Sequence, residues 1–279
     1  MNPFLTLVAK LFRDVRWSLL FSVASLFALG WLFVYVTSLN ESNIRKDLAA
    51  PPGQNRRADM MREMGMTEES ASVAIMMGSW NHPFIVLVIA IWAIGRGSSA
   101  VGAEIERGTL DLVLSRPISR TSYLTSQIVT SLVGLLLIAL ALAAGAVVAT
   151  HYNVLSSPPG LGVLSRPALN LAALGLPIYG YTLFFSAIDH VRWRATMIGS
   201  MLTLAGFIAR VVAVIPVFKE ASWRPWVDQS SIFKLYNPVD AVTTREFFSF
   251  DVAVLCGVGA ACIGLAYLVF ATRDLPANG

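Results

Sequence analysis

The chain has 279 residues and a formal net charge of +4, and 56% of its residues are hydrophobic while only 14% are charged. Soluble domains carry about 25% charged residues, so this composition excludes an ordinary soluble domain and is typical of a membrane protein. The small positive excess is ordinary for a membrane protein and gives no indication of nucleic-acid binding.

The first predicted element is an amphipathic helix over residues 1–16. Apolar residues recur there at helical spacing, and Lys10, Arg13 and Arg16 stand between them. Such a helix lies along the lipid interface with its bases near the headgroups. The apolar run 17–39 that follows is longer than the 7–15 residues of a signal-peptide core and has no clear cleavage site after it, so we expect a retained span.

Six apolar runs are predicted to cross the membrane, because about 20 apolar residues span a hydrocarbon core of ~30 Å. They cover residues 17–39, 83–95 extended to about 99, 124–150, 168–188, 195–218 and 252–272. We therefore expect an all-α membrane domain over residues 1–279, with no separate soluble domain. Cys256 and Cys262 both lie in the last run, on different faces of a helix, so they predict no disulfide framework.

The two longest connections have different compositions. Residues 40–80 are polar and contain six methionines, namely Met60, Met61, Met64, Met66, Met76 and Met77. Thioethers are soft ligands for Cu(I), but methionine is also a flexible filler at helix contacts, and both interpretations stay open. Residues 219–251 mix aromatic and charged side chains, which predicts short interfacial helices before the last span.

The most informative stretch is 104–120, E-I-E-R-G-T-L-D-L-V-L-S-R-P-I-S-R, which we call the signature segment. Glu104 and Glu106 are two residues apart and face away from each other on a helix, so they are not a paired acid–base site. We expect Gly108 to end that helix. Thr109 is a suitable N-cap for a short turn over residues 110–115. Pro117 cannot continue the turn, and Ser119 or Thr121 can begin the next span.

The signature segment resembles the cytoplasmic signature of ABC-2 type permeases, the membrane subunits of ABC exporters. In that family a run E-x-E-x-G-T-L-(x)-L-L-S-x-P-(I/V)-(S/T)-R lies just before the third membrane helix. The residues that match are Glu104, Glu106, Gly108, Thr109, Leu110, Leu114, Ser115, Pro117, Ser119 and Arg120. The main departure is Val113, which stands where the family has leucine. Without this resemblance, the segment is as well explained as an ordinary interfacial connector.

The resemblance implies a coupling helix that sits in a groove of a separate ATP-binding subunit, with Arg107 among the contacting residues. It also implies a pair of permease subunits, identical or different, that work with two ATP-binding subunits. No G-x-x-x-x-G-K-[ST] motif occurs in the chain, so we expect ATP and Mg²⁺ to be bound by the partner and no cofactor to be bound here. The absence of G-x-S-x-G, H-E-x-x-H and C-x-x-C motifs argues against an enzyme.

Arg210 is the only ionisable residue deep inside a predicted span. Charges inside a membrane are costly and usually face protein or water, so Arg210 is either an arginine that extends to the interface or a residue of the translocation path.

Lys and Arg are equally frequent on the two predicted sides, so the positive-inside rule does not fix the orientation. The short loops and the family resemblance both favour a plasma (inner) membrane protein with two cytoplasmic termini.

These observations predict a multi-pass permease that exports an amphipathic, lipid-like or drug-like substrate in contact with membrane lipid. Two alternatives stay open. One is an ABC-type energy-transducing or assembly subunit that acts on an external partner, for example in copper-protein maturation. The other is an ion-coupled secondary transporter, which usually needs an acidic residue inside the membrane; the six predicted spans contain no Asp or Glu.

Overall fold

The computed structural model describes residues 3–56, 59, 62, 67, 71–108, 119–153, 155, 158–218, 220–243 and 245–272. Within these residues every regular element is a helix, which confirms the predicted all-α fold. The α-helices are α1 (Pro3–Ala49), α2 (Ala71–Ser79), α3 (Pro83–Ser99), α4 (Gly102–Glu106), α5 (Arg120–Tyr152), α6 (Leu161–Ile188), α7 (Arg192–Val214), α8 (Arg224–Ser230), α9 (Pro238–Thr243) and α10 (Arg245–Thr272). Short 3₁₀ turns cover Pro216–Phe218 and Ile232–Leu235.

Five of the described helices, namely α1, α5, α6, α7 and α10, are each long and apolar enough to cross a membrane. Helices α2 and α3 together are also long and apolar enough, but the pair is bent by 44°. If this bent pair is counted as one span, the described residues contain six spans. The bend lies where His82 caps α3 and Pro83 opens it. The count of six agrees with the prediction, but residues 71–79, which were predicted to lie in a loop, are helical.

The predicted boundaries of several elements change. Helix α1 runs from Pro3 to Ala49 without a break at Trp17, so residues 3–16 of the predicted amphipathic helix 1–16 are not separate from the first span. The first part of the predicted 40–80 loop is also helical. At 1.5 Å per residue, α1 is about 70 Å long and extends beyond a ~30 Å hydrocarbon core. Helix α10 begins at Arg245 and not at 252, while α7 stops at Val214.

Helix α6 lies at the centre of the bundle. In its most apolar stretch 67% of the residues are buried, against 17% in the corresponding stretches of α7 and α10. It contacts α3, α5, α7 and α10. The apolar faces of α1, α7 and α10 form most of the outer surface, as expected for helices that meet lipid or another subunit.

Glycines allow two pairs of helices to approach closely. A Cβ on Gly145 of α5 would lie 2.0 Å from the carbonyl oxygen of Phe27 in α1. A Cβ on Gly259 of α10 would lie 2.7 Å from the Cβ of Leu176 in α6. A Cβ on Gly257 or Gly264, also in α10, would have no described neighbour within 4 Å. Small residues therefore do permit close packing here, through a different face of α10.

The bundle has two ends that can be told apart by the elements they carry. The end with α4 also carries the start of α5, the end of α6, the start of α7 and the end of α10, and we call it the signature end. Tyr267 of α10, for example, donates to the carbonyl of Thr121 there (3.2 Å). The opposite end, which we call the far end, carries α2, α8 and α9.

The predicted short helices between the fifth and sixth spans are present at the far end. They are fixed by buried polar contacts to the bundle: Asn170 of α6 donates to the carbonyl of Leu235 (3.0 Å) and accepts from the amide of Asn237 (3.2 Å). The hydroxyl of Tyr236 donates to the carbonyl of Trp80 (3.0 Å), and burial raises the pKa of Tyr236 above its usual range. The described residues 220–243 are therefore held against the bundle and do not form a free loop.

Candidate coupling site

The signature segment follows a break in the helix at the signature end. Helix α3 ends at Ser99, and α4 begins at Gly102 after Ala100 and Val101, where Val101 has φ −125° and ψ −55°. The second span therefore does not continue as a regular helix through Val101 to Ile105. The buried backbone groups at such a break need hydrogen-bond partners from elsewhere.

Helix α5 supplies partners on one side of the break. The Tyr123 hydroxyl donates to the carbonyl of Ala100 (2.8 Å) and accepts from the Gln127 amide (2.9 Å). Gln127 in turn accepts from Arg96 of α3 (2.7 Å). Tyr123, Gln127 and Ala100 are all buried. These bonds join α3, the break and α5 into one continuous polar network.

Helix α6 supplies a partner on the other side. The hydroxyl of Ser186 donates to the carbonyl of Ser98 (3.0 Å) and accepts from the amide of Gly102 (2.9 Å), so one buried side chain connects both sides of the break. A Cβ on Gly102 would lie 3.3 Å from both the Ser186 oxygen and the Cα of Arg192. The absence of a side chain at Gly102 therefore lets α4 pack against the ends of α6 and α7.

The two glutamates of α4 make different contacts. Glu104 pairs with Arg107 at 4.0 Å. Glu106 accepts from the backbone amide of Arg192 at 3.2 Å and so fixes α4 to the first residue of α7. Both contacts lie at a partly exposed surface, where ion pairs contribute at most about 1 kcal/mol. They position α4 more than they stabilise the fold.

The structure describes only the two borders of the predicted coupling turn. Gly108 has φ +65°, a conformation that favours glycine, and α4 ends before it as predicted. On the other side, Ser119 accepts from the amide of Ser122 (3.1 Å) and caps α5, which begins at Arg120. The remaining predicted coupling residues, Thr109, Leu110, Leu114, Ser115 and Pro117, lie outside the described residues.

Sequence reasoning missed the side chains that hold the break. Arg96 and Tyr123 border the predicted runs 83–95 and 124–150 and were counted with the connection between them, but they lie in α3 and α5. Gln127 and Ser186 were treated as ordinary residues of spans. A polar residue inside a membrane helix is itself a signal, because it needs a partner there. Nothing in the sequence alone indicates that Arg96, Gln127 and Tyr123 bond to one another, or that Tyr123 and Ser186 bond to the backbone around the break at residues 100–101.

Arg210 lies at the far end, four residues before the end of α7. Its guanidinium donates to Asp228 of α8 at 2.8 Å, and Lys234 lies 3.5 Å from the other oxygen of that carboxylate. Arg210 also lines a cavity of about 530 Å³ with mainly apolar walls, which include Val86, Phe207 and Phe233. The arginine is thus paired, and it lines a cavity that is partly open to the surface.

The described residues provide no metal site of His, Cys, Asp or Glu side chains, since no three of them lie close enough together. Met76 and Met77 are fully buried in the apolar core, where they act as packing residues. Met60, Met61, Met64 and Met66 lie outside the described residues, so the copper hypothesis for them stays untested.

Two comparisons with known proteins bear on this site. A family model described as "ABC-2 family transporter protein" matches residues 5–275. A search of curated proteins gives no significant match. The matched region includes the whole helical bundle as well as the signature segment.

Proposed function

Because the chain belongs to the ABC-2 transporter family and is a multi-pass membrane permease of an ABC transporter, we propose that it exports an amphipathic, lipid-like or drug-like substrate. The ATP-binding partner that the family implies would hold ATP and Mg²⁺ and supply the energy. The observation that carries this proposal is the helix break at Ala100 and Val101, which is bonded to α5 and α6 directly before the signature segment.

The break offers a route for mechanical coupling. A partner that pushes on residues 109–118 would move α4, and the contacts of Gly102, Glu106 and Tyr123 would pass that movement to α5, α6 and α7. Coupling of this kind needs elements that move as units, which buried hydrogen bonds provide.

We further propose that a second permease subunit completes the path, since the outer faces of α7 and α10 are largely unburied.

The direct test of this function is reconstitution of the chain in vesicles together with its ATP-binding subunit. An exporter would accumulate an amphipathic dye only with ATP and only with both proteins present. The alternative function, transduction of energy to an external partner, would show ATP hydrolysis that responds to the partner and no ATP-dependent dye accumulation.

We predict that both termini and the signature segment are cytoplasmic, whereas the predicted connections 40–80 and 219–251, apart from their residues in α2 and α10, are external. Single cysteines at Gln54 and at Ser119 should then react with an impermeant reagent from opposite sides of the membrane. The structure supports the design, because the two positions lie at opposite ends of the bundle and both are exposed. Labelling of the cysteine at 119 from outside the cell would invert the orientation.

We predict that Arg210 contributes to the translocation path at the far end. Arg210→Leu should lower export about tenfold, the loss expected for one charge-assisted contact, while Asp228→Asn, which keeps an oxygen beside the guanidinium, should not. Transport assays on both variants distinguish a cargo contact from a purely structural ion pair. Equal losses in both variants, or unchanged export by Arg210→Leu, would remove Arg210 from the path.

A further inference from the structure

A second cavity, of about 400 Å³, lies at the signature end beside the helix break. Its walls come from α1, α3, α4, α5 and the first residue of α7, which are far apart in sequence, and it is partly open to the surface. It lies beside the network that fixes the break and is distinct from the cavity near Arg210. Neither the family match nor the coupling role assigns a ligand to it.

The charges that line this cavity do not balance. Three arginines, Arg96, Arg107 and Arg192, face two carboxylates, Asp14 and Glu104. Arg107 is matched by Glu104 at 4.0 Å. Among the described lining residues this leaves Arg96 and Arg192 against Asp14, an excess of one positive charge, which favours an anionic ligand. Glu106, which is not one of these lining residues, accepts from the backbone amide of Arg192 at 3.2 Å.

Arg96 is the strongest binding group in the cavity. Within the described residues its guanidinium bonds only to neutral partners, Gln127 at 2.7 Å and Ser131 at 3.4 Å. A guanidinium has five N–H donors, and these two bonds use only two of them. The planar fork of the remaining donors suits the paired oxygens of a phosphate group.

The cavity also has an apolar side that reaches the outer surface. Ile91 lines the cavity and is 61% exposed, so the space opens toward the outside of the bundle there. On α1, Trp17 and Phe21 are 72% and 76% exposed, next to the cavity residues Ser18 and Ser22. Arg96 itself lies one turn from the end of α3.

We propose that this cavity binds the phosphodiester headgroup of an anionic membrane phospholipid. The phosphate contacts Arg96 and Arg192, while the acyl chains lie along the exposed apolar residues of α1 and α3. A free phosphate offers the same charge, but it would leave the apolar side of the cavity unused. The site binds a lipid of the membrane that surrounds the protein, and this binding does not depend on the exported substrate.

The experiment measures lipid binding to the full chain in uncharged detergent, by titrating phosphatidylglycerol and following the temperature of unfolding. The parent should be stabilised as a saturable function of lipid concentration. Arg96→Gln should weaken the apparent affinity about tenfold or more. Arg166→Gln, which removes a half-buried arginine at the far end, is the matched control and should bind like the parent.

Asp14→Asn provides a gain-of-binding variant, because it removes an exposed carboxylate that repels the phosphate. Its affinity for phosphatidylglycerol should rise about threefold or more. If Arg96→Gln does not fold, Asp14→Asn alone tests the proposal. Unchanged or weaker binding of phosphatidylglycerol by Asp14→Asn then overturns it. Equal affinities of the parent and Arg96→Gln also overturn it, and so does equal stabilisation by inorganic phosphate or by phosphatidylcholine.

Discussion

Simultaneous replacement of Leu110 and Leu114 by aspartate will abolish association with the ATP-binding subunit and leave membrane insertion intact. Both leucines lie on the apolar face of the turn predicted between Gly108 and Pro117. Burying one leucine at an interface contributes about 1.5–3 kcal/mol, so losing two corresponds to an affinity loss of about a hundredfold or more. The measurement is the amount of ATP-binding subunit that copurifies with the permease. The amount of inserted permease is measured in parallel.

The matched control for this experiment is Leu112→Asp, which introduces a charge on the opposite face of the same predicted turn. It should reduce association far less than the double variant. If the double variant still copurifies with the ATP-binding subunit in parental amounts, the turn is an ordinary connector and does not bind the partner.

Loss of the bonds that hold the helix break will separate ATP hydrolysis from transport. In Tyr123→Phe with Ser186→Ala, the carbonyls of Ala100 and Ser98 and the amide of Gly102 lose their side-chain partners. Each buried group left without a partner costs about 1–3 kcal/mol, so the break should loosen while the bundle persists. We expect ATPase activity near the parental level and at least a tenfold reduction in transport per ATP hydrolysed.

Ser126→Ala is the control, because Ser126 is equally buried but bonds only to the carbonyl of Tyr123 in its own helix. It should couple hydrolysis to transport as the parent does. Parallel loss of hydrolysis and transport in the double variant would show that the break supports the fold and does not transmit movement.

Apolar run length was sufficient to predict most of this fold. The runs at 83–99 and 124–150 correspond to α3 and α5 because hydrophobic length and helix-capping residues are local properties. Helix α2 was missed because nine residues are too few to indicate a span, and its relation to α3 depends on packing. The continuity of α1 was missed because charges at residues 10–16 indicate an interface but do not interrupt a helix.

The site could be predicted only in part. Gly108 and Ser119 were recognisable because positive φ and N-capping favour particular residue types. The network of Arg96, Gln127 and Tyr123 depends on the contact between α3 and α5, and no local pattern reveals which polar residues of two spans will meet. Arg210 was predicted to lie deep inside a span, but it lies four residues before the end of α7, and its role in the translocation path stays a prediction. Its partner Asp228 lies in a short helix that only the tertiary structure brings near.

The central claim is that a separate ATP-binding subunit contacts the signature segment, and site-specific photocrosslinking from position 113 tests it most directly. A photoreactive residue at Val113 in the full chain, activated in native membranes, should capture a protein that carries a G-x-x-x-x-G-K-[ST] motif. The same residue at Trp226, which is 76% exposed at the far end, should not capture it. Capture of that protein only from position 226, or of no ATP-binding protein from position 113, would contradict the account.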